Sequence, residues 1–430
     1  MKTSMKTRLL ALACAGLVLA TATAPAALAA TGTSSAARSG TSDLTRSEAS
    51  DRAWSEASTG TMIADGRGSV VSAELLARLS AAQVEATLTK GGFPVPPRPQ
   101  GADLYAVVYR TVAVDGTPTT ASGVVALPAR SRRELWTVSY EHGTLATKAY
   151  AGSGSDGDGR AVPLMFAAAG FAGIAPDYLG LGTGPGFHPY MDAATEASAS
   201  ADLLRAAGEL AGRQGRTLSG DVLVTGFSQG GHAAMALSKA LRDDPAYRLR
   251  GVAPIAGPYH VRRAEMPALL KGRLDPHSAT YYLAYWTVSM NRLHHLYDSP
   301  SEVFRDPGVE RLFDGQHSFD EIAAGLPASP RDLVTDAYLK RMAQPSGSLL
   351  KAMVVNDATC AGWRPGVPVR LYAGRGDKDV AIANSRLCLE ELKASGVKAT
   401  LTDVGNVDHM TSPFRALPRI LDWFTGLRGT

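Results

Sequence analysis

From residue 104 onward, apolar residues alternate between two kinds of spacing. Short runs rich in Val, Ile, Leu and Tyr predict strands at 104–114, 120–127, 135–140, 171–176, 222–226, 250–256, 367–372 and 398–404. Apolar residues three and four apart predict helices at 193–212, 229–241, 383–395 and 413–426. Asp115-Gly116 turns the first strand back onto the second. The run at 171–176 is almost wholly apolar, as a strand covered on both faces must be. Strands that alternate with helices imply an α/β protein: a mostly parallel, eight-stranded sheet with helices on both faces and an antiparallel start. Upstream, Val71, Leu75, Leu79 and Leu88 fall on or near one face, which predicts a helix over 70–90 ended by Gly91-Gly92. Pro94, Pro96, Pro97 and Pro99 then form a stiff extended connector.

One interval breaks the rhythm. About 110 residues separate the sixth and seventh strands, too many for a bare loop in a compact domain. Their Tyr281, Tyr282, Tyr285, Trp286, Leu293 and Phe304 predict a helical cap or lid over 258–364. An insertion there hangs over the carboxyl ends of the strands, where open α/β sheets bind ligands, although a purely structural side module has the same pattern. The expected division is therefore 1–29, 30–60, a first core part 61–257, the cap 258–364 and a second core part 365–430.

Composition and charge narrow the function classes. The chain has 430 residues, 45% of them hydrophobic, enough for a large core. Of its net charge of +4, three charges are Lys2, Lys6 and Arg8 in a segment without acids, so the remainder carries only +1. Such a body has no electrostatic case for binding nucleic acid. The three cations, the apolar stretch 9–20 and the small-x-small Ala27-Leu28-Ala29 read as a secretory signal peptide, and the Ser/Thr/Gly-rich 30–60 as a flexible leader. No later segment is long and apolar enough to span a bilayer. The expected location is extracellular. Cys14 lies in the signal, leaving Cys360 and Cys388. Export favours a disulfide between them over two free thiols, and closing that loop would contribute ~3 kcal/mol.

The chemistry centres on Gly226-Phe227-Ser228-Gln229-Gly230. Gly-x-Ser-x-Gly alone is a weak signal; here an apolar strand leads in and an Ala-rich helix leads out, the setting of a nucleophile elbow. A serine hydroxyl needs a base, and the base an orienting acid. Behind such an elbow the acid and the His follow in that order. His409 alone among the histidines lies beyond the seventh strand, so it is the base. Asp377 and Asp379 both follow that strand; the Gly-x-x-Asp-x-x-Val spacing selects Asp377 and leaves Asp379 as a helix cap or a partner of Lys378. Two N–H donors must stabilise the oxyanion. Gln229 supplies one, and Thr144, or else Gly143, the other. His142 reads as a hydrogen-bonded support; it, His188, Tyr190 and Phe227 are the pocket candidates. Asp177 reads as a structural tie, Asp156-Gly157-Asp158-Gly159 as a Gly-rich turn rather than a calcium loop, and His294-His295 as surface rather than a metal site.

With Ser139-Tyr140-Glu141-His142-Gly143-Thr144, Asp177-Tyr178-Leu179-Gly180-Leu181-Gly182, His188-Pro189-Tyr190 and Gly226 to His232, the chain resembles bacterial and fungal secretory lipases and esterases of the α/β-hydrolase superfamily. The resemblance spans roughly residues 95–427. It implies the α/β-hydrolase fold, a capped sheet, a Ser228–Asp377–His409 triad and esters with apolar acyl groups. No metal or cofactor is required. The expected partners are a small-molecule or lipid ester and, transiently, a lipid interface, with the protein a monomer. A serine peptidase or acyltransferase on the same triad is the rival enzyme; a non-catalytic secreted binding protein is the rival outside catalysis.

Overall fold

Nine strands form one mixed sheet in the order β1-β2-β3-β5-β4-β6-β7-β8-β9 in a computed structural model that describes residues 66–130, 134–155, 159–363 and 366–429. The expected signal, the whole of the leader and Asp156-Gly157-Asp158 lie outside the described residues. The strands are β1 (Val70–Leu79), β2 (Ala102–Val112), β3 (Pro118–Pro128), β4 (Leu135–Glu141), β5 (Ala172–Pro176), β6 (Leu218–Phe227), β7 (Arg248–Ile255), β8 (Val369–Ala373) and β9 (Ala399–Asp403). β1, β2, β3 and β5 pair antiparallel; every pairing from β5 through β4 to β9 is parallel.

Helices cover both faces. Alternation sorts the side chains of β2: Tyr105, Val107 and Tyr109 face one layer, Ala102 and Leu104 the other. The first layer contains α3 (Ala193–Arg213), α4 (Gln229–Leu241) and α6 (Ala383–Ala394), through Leu203, Met235 and Leu392. The second contains α1 (Ala81–Lys90), α2 (Ala161–Ala168) and α7 (Ser412–Gly429), through Leu88, Phe166 and Phe424. Each such side chain taken fully out of water stabilises the fold by about 1.5–3 kcal/mol.

The architecture is the expected one, with two local differences. Residues 70–79 form an edge strand, not the first half of a helix, and make the ninth strand. β1 pairs with β2 but is bulged between Val70 and Ser72 and again between Leu75 and Ala77. Each bulge shifts the alternation by one residue. Val71 and Leu75 are 49% and 43% exposed, so their four-residue spacing, which a helix shares, marks the solvent side of an edge strand. The helix itself begins after Ser80, whose hydroxyl and Gln83 form a reciprocal N-terminal cap. The second difference is α2, buried from Val162 to its end. An all-round apolar helix has no stripe for periodicity to detect.

Between β7 and β8 the chain leaves the sheet. A π-helical turn, Val261–Glu265, runs into Met266–Leu270; α5 (Pro276–His294) follows, then shorter helices ending with Gly347–Asn356. Tyr285, Phe304, Tyr338 and Met353 give this insertion its own core, which also takes in Tyr190 and Met191 from the loop before α3. The insertion returns to the sheet past Cys360, which is disulfide-bonded to Cys388 of α6 as expected.

Candidate active site

Ser228 sits in the turn from β6 to α4 with φ +59° and ψ −122°. A non-glycine residue held at positive φ costs of order 1–3 kcal/mol, so its surroundings must enforce it. Here the Ser228 N–H donates to the Ile255 carbonyl at 3.0 Å, and the Ser228 carbonyl accepts from Gly231 N–H at 2.8 Å. The glycines make the turn possible. A Cβ on Gly226 would lie 2.1 Å from the Gly230 carbonyl oxygen, and one on Gly230 only 1.9 Å from that of Glu141. Strand and helix therefore cross at backbone contact.

Two distant loops bring their side chains to this serine. His409, after β9, has Nε2 2.8 Å from Ser228 Oγ and Nδ1 2.7 Å from Asp377 Oδ2. The other Asp377 oxygen accepts the N–H groups of Asp379 and Val380, both at 2.9 Å, which fixes the carboxylate plane. Ser412 Oγ donates to the His409 carbonyl at 2.7 Å, and the Phe227 ring lies 4.6 Å from the imidazole. Burial acts to lower the His409 pKa, but the negative charge of Asp377, joined by Asp379 and Asp408, overcomes it and holds the ring above its ordinary value. All three groups are buried.

Gly143 borders Ser228: a Cβ there would be 3.6 Å from Ser228 Cβ. Thr144 is the next residue, its Oγ1 2.9 Å from the Tyr190 hydroxyl. Gln229 opens α4, so its N–H is one of the first-turn donors that no helical carbonyl can satisfy.

No protein-family model matches the chain, and neither does any curated protein sequence. Solved structures do match. A Legionella pneumophila protein assigned to the hydrolases is 27% identical, with a TM-score of 0.75 over 84% of this chain and 98% of that one. The rice cell wall degrading esterase LipA of Xanthomonas oryzae is 26% identical, with a TM-score of 0.70 over 85% and 98%. Candida antarctica lipase A, 16% identical with a TM-score of 0.60 over 86% and 84%, shares the fold.

The chain has the α/β-hydrolase fold. Beside Ser228 lies a cavity that is partly open to solvent. Met266, Leu269, Leu283 and Trp286 give it apolar walls; Tyr190, Glu265, Tyr282 and Asp379 add polar groups. Of the four pocket candidates, only Tyr190 lines it. His142 is buried with its ring nitrogens against the Gly143 and Asp177 carbonyl oxygens, 2.7 and 3.3 Å away, and Phe227 packs on His409 instead. His188 accepts from the Gln229 side-chain amide at 2.9 Å and donates from Nδ1 to the Leu179 carbonyl at 2.9 Å. Burial pushes its pKa down to about 3, so this ring is a neutral strut.

A buried polar cluster backs the turn that holds Ser228. Glu196 accepts from Gln229 Nε2 at 3.0 Å and pairs with His232 Nδ1 at 2.7 Å. Burial disfavours charge on His232, yet Glu196 holds its pKa above the ordinary value. Glu141 is bonded by the hydroxyls of Ser139 at 2.6 Å and Ser200 at 2.8 Å. Burial pushes its pKa up to about 7 against those two bonds. Asp177 accepts from the hydroxyls of Ser122, at 2.6 Å, and Ser153, and so ties loops together. Neither Glu265 nor the Glu141–Glu196 cluster was foreseen. No catalytic spacing in the sequence marks these three carboxyls, and only the fold makes them neighbours of the site.

Proposed function

We propose that this α/β-hydrolase is a secreted carboxylic ester hydrolase of the lipase/esterase kind, acting through Ser228, His409 and Asp377. The continuous line of hydrogen bonds from Asp377 through His409 to Ser228, at 2.7 and 2.8 Å, carries the reading. His409 takes the Ser228 proton as Oγ attacks the ester carbonyl. The N–H groups of Gln229 and of Thr144, or Gly143, stabilise the oxyanion. The imidazolium then protonates the leaving alcohol, Asp377 stabilising its charge, and water releases the acyl group by the same steps in reverse order.

Ester substrates are favoured by the similarity to LipA of Xanthomonas oryzae, an esterase, and apolar acyl chains by the hydrocarbon walls beside Ser228. The insertion acts as the substrate-facing cap, since Glu265, Met266 and Trp286 of that wall belong to it. Secretion is favoured by the N-terminal pattern and by the Cys360–Cys388 bond. The test is a panel of nitrophenyl esters and aminoacyl amides on the full protein, with an organophosphonate as covalent label. Ester turnover should fall by roughly 10⁴-fold or more in Ser228→Ala while the protein stays folded, and labelling should vanish. Amide cleavage exceeding ester cleavage would make the protein a peptidase, and Ser228→Ala turning over esters at the wild-type rate would end the proposal.

A further inference from the structure

We propose that Glu265 is a specificity-determining residue of the acyl pocket: it selects esters whose acyl chain carries a hydrogen-bond-accepting oxygen. The inference rests on the ester-hydrolase reading above and deepens it. Glu265 closes the π-helical turn Val261–Glu265 and lines the same cavity as Ser228. Its neighbours there include Met266, Leu269, Leu283 and Trp286, poor company for a carboxyl group.

Only half of that group is accounted for. Oε1 accepts from the Ala381 N–H at 3.1 Å and from the side-chain amide of Asn384. Oε2 has no hydrogen-bond partner among the described residues and is not sealed in the core. Glu265 is enclosed by protein yet part-accessible, and the cavity is the space it borders.

Burial first, then the charges of Asp377 and Asp379, push the Glu265 pKa up to about 8, against the bonds from Asn384 and Ala381. Near neutral pH the group is therefore an uncharged acid. Two donors already point at Oε1, so the proton belongs on Oε2, where it is a donor lacking an acceptor. A carboxylic acid kept neutral by apolar surroundings serves as such a donor in other active sites. An ether or carbonyl oxygen in the acyl chain supplies the missing acceptor. An all-methylene chain leaves the O–H unsatisfied, which is where discrimination arises. The other titratable groups around the cavity are Asp377 and Asp379 after β8, His409 after β9, Tyr190 before α3 and Tyr282 on α5. Burial raises both tyrosines, which stay neutral over the range used below. On its own turn, Arg262 and Arg263 are exposed, and Arg263 pairs with Glu391.

The experiment compares 4-nitrophenyl hexanoate with isosteres in which an ether oxygen replaces one methylene at successive positions. Each kcat/KM is divided by the ester's hydroxide-catalysed rate, and the ether-to-methylene ratio is followed from pH 6 to 9.5. Steps common to both esters, including His409 titration, cancel in the ratio. Wild type should prefer one isostere by about three- to tenfold below pH 7 and lose the preference as pH rises past 8. Glu265→Gln retains the Oε1 acceptor and places an amide donor at Oε2, so its preference should persist at every pH. Glu265→Leu should show none. A ratio near one for every isostere in wild type, or a preference that titrates alike in wild type and Glu265→Gln, overturns the proposal. If no ester is turned over, the parent reading has failed instead.

Discussion

Replacing Gly230 by alanine tests whether the elbow depends on backbone contact between strand and helix. The new methyl carbon would stand 1.9 Å from the Glu141 carbonyl oxygen, 2.4 Å from its carbon and 2.6 Å from the His142 oxygen. Ordinary contact begins near 3.4 Å, so α4 and the end of β4 must separate by about 1.5 Å. No flexible side chain can yield instead, because all three of these atoms are main chain. Overpacking of a rigid core costs about 1–3 kcal/mol, and this contact belongs at the upper end. For a chain of this size that loss lowers Tm by roughly 4 °C. Catalysis should suffer more. The separation parts Ser228 and Gln229, at the start of α4, from Gly143 and Thr144, on the loop after β4. A displacement of about 1 Å between reacting groups costs on the order of 10²-fold in rate. Differential scanning calorimetry and burst titration with an organophosphonate read the two effects separately. If Gly230→Ala keeps more than half of the wild-type kcat and its Tm, the close-crossing argument is wrong.

Asp377→Asn should lower kcat by about 10³- to 10⁴-fold and Asp379→Asn by less than about tenfold in steady-state ester hydrolysis; the reverse order would move the acid role to Asp379. His409 must be neutral to accept the serine proton, so activity is present above its pKa and lost as pH falls through it. Because that pKa is raised, the acid limb of kcat/KM should lie above the ordinary histidine value of 6.5, and Asp379→Asn should move it down; a limb at or below 6.5 contradicts the electrostatics. Glu141 carries the opposite kind of signature. Below pH 4.5 folded and unfolded chains both hold its proton; between 4.5 and about 7 only the folded chain does, so stability falls as pH rises through that window. Urea titrations should find this contribution, about 3 kcal/mol across the window, as the difference in slope between wild type and Glu141→Gln.

How far the chain could be read in advance depended on how local each signal is. Ser228 and α4 were legible because strand, turn and helix are contiguous, and the observed helix starts at Gln229 and ends at Leu241 as the spacing predicts. His409 and Asp377 were legible because the order of elements leaves them few rivals. β1 was not, because two bulges rewrote its alternation. The place of His188 in a loop suggests the pocket, but only packing decides that its ring turns inward to Gln229. Glu265 was invisible for a related reason. It becomes a pocket residue only when the insertion folds back over the acid-bearing loop.

That fold-back bears on attempts to retarget the enzyme. The insertion is bolted to the loop that holds Asp377: Glu265 receives Ala381 N–H at 3.1 Å, and the Asp275 N–H donates to the Lys378 carbonyl at 2.8 Å. A chimera that transplants the insertion from a relative would therefore also reset the aim of the carboxylate. Grafts whose seams carry both sides of these two fastenings should preserve turnover while exchanging selectivity; grafts that cut between them should forfeit both.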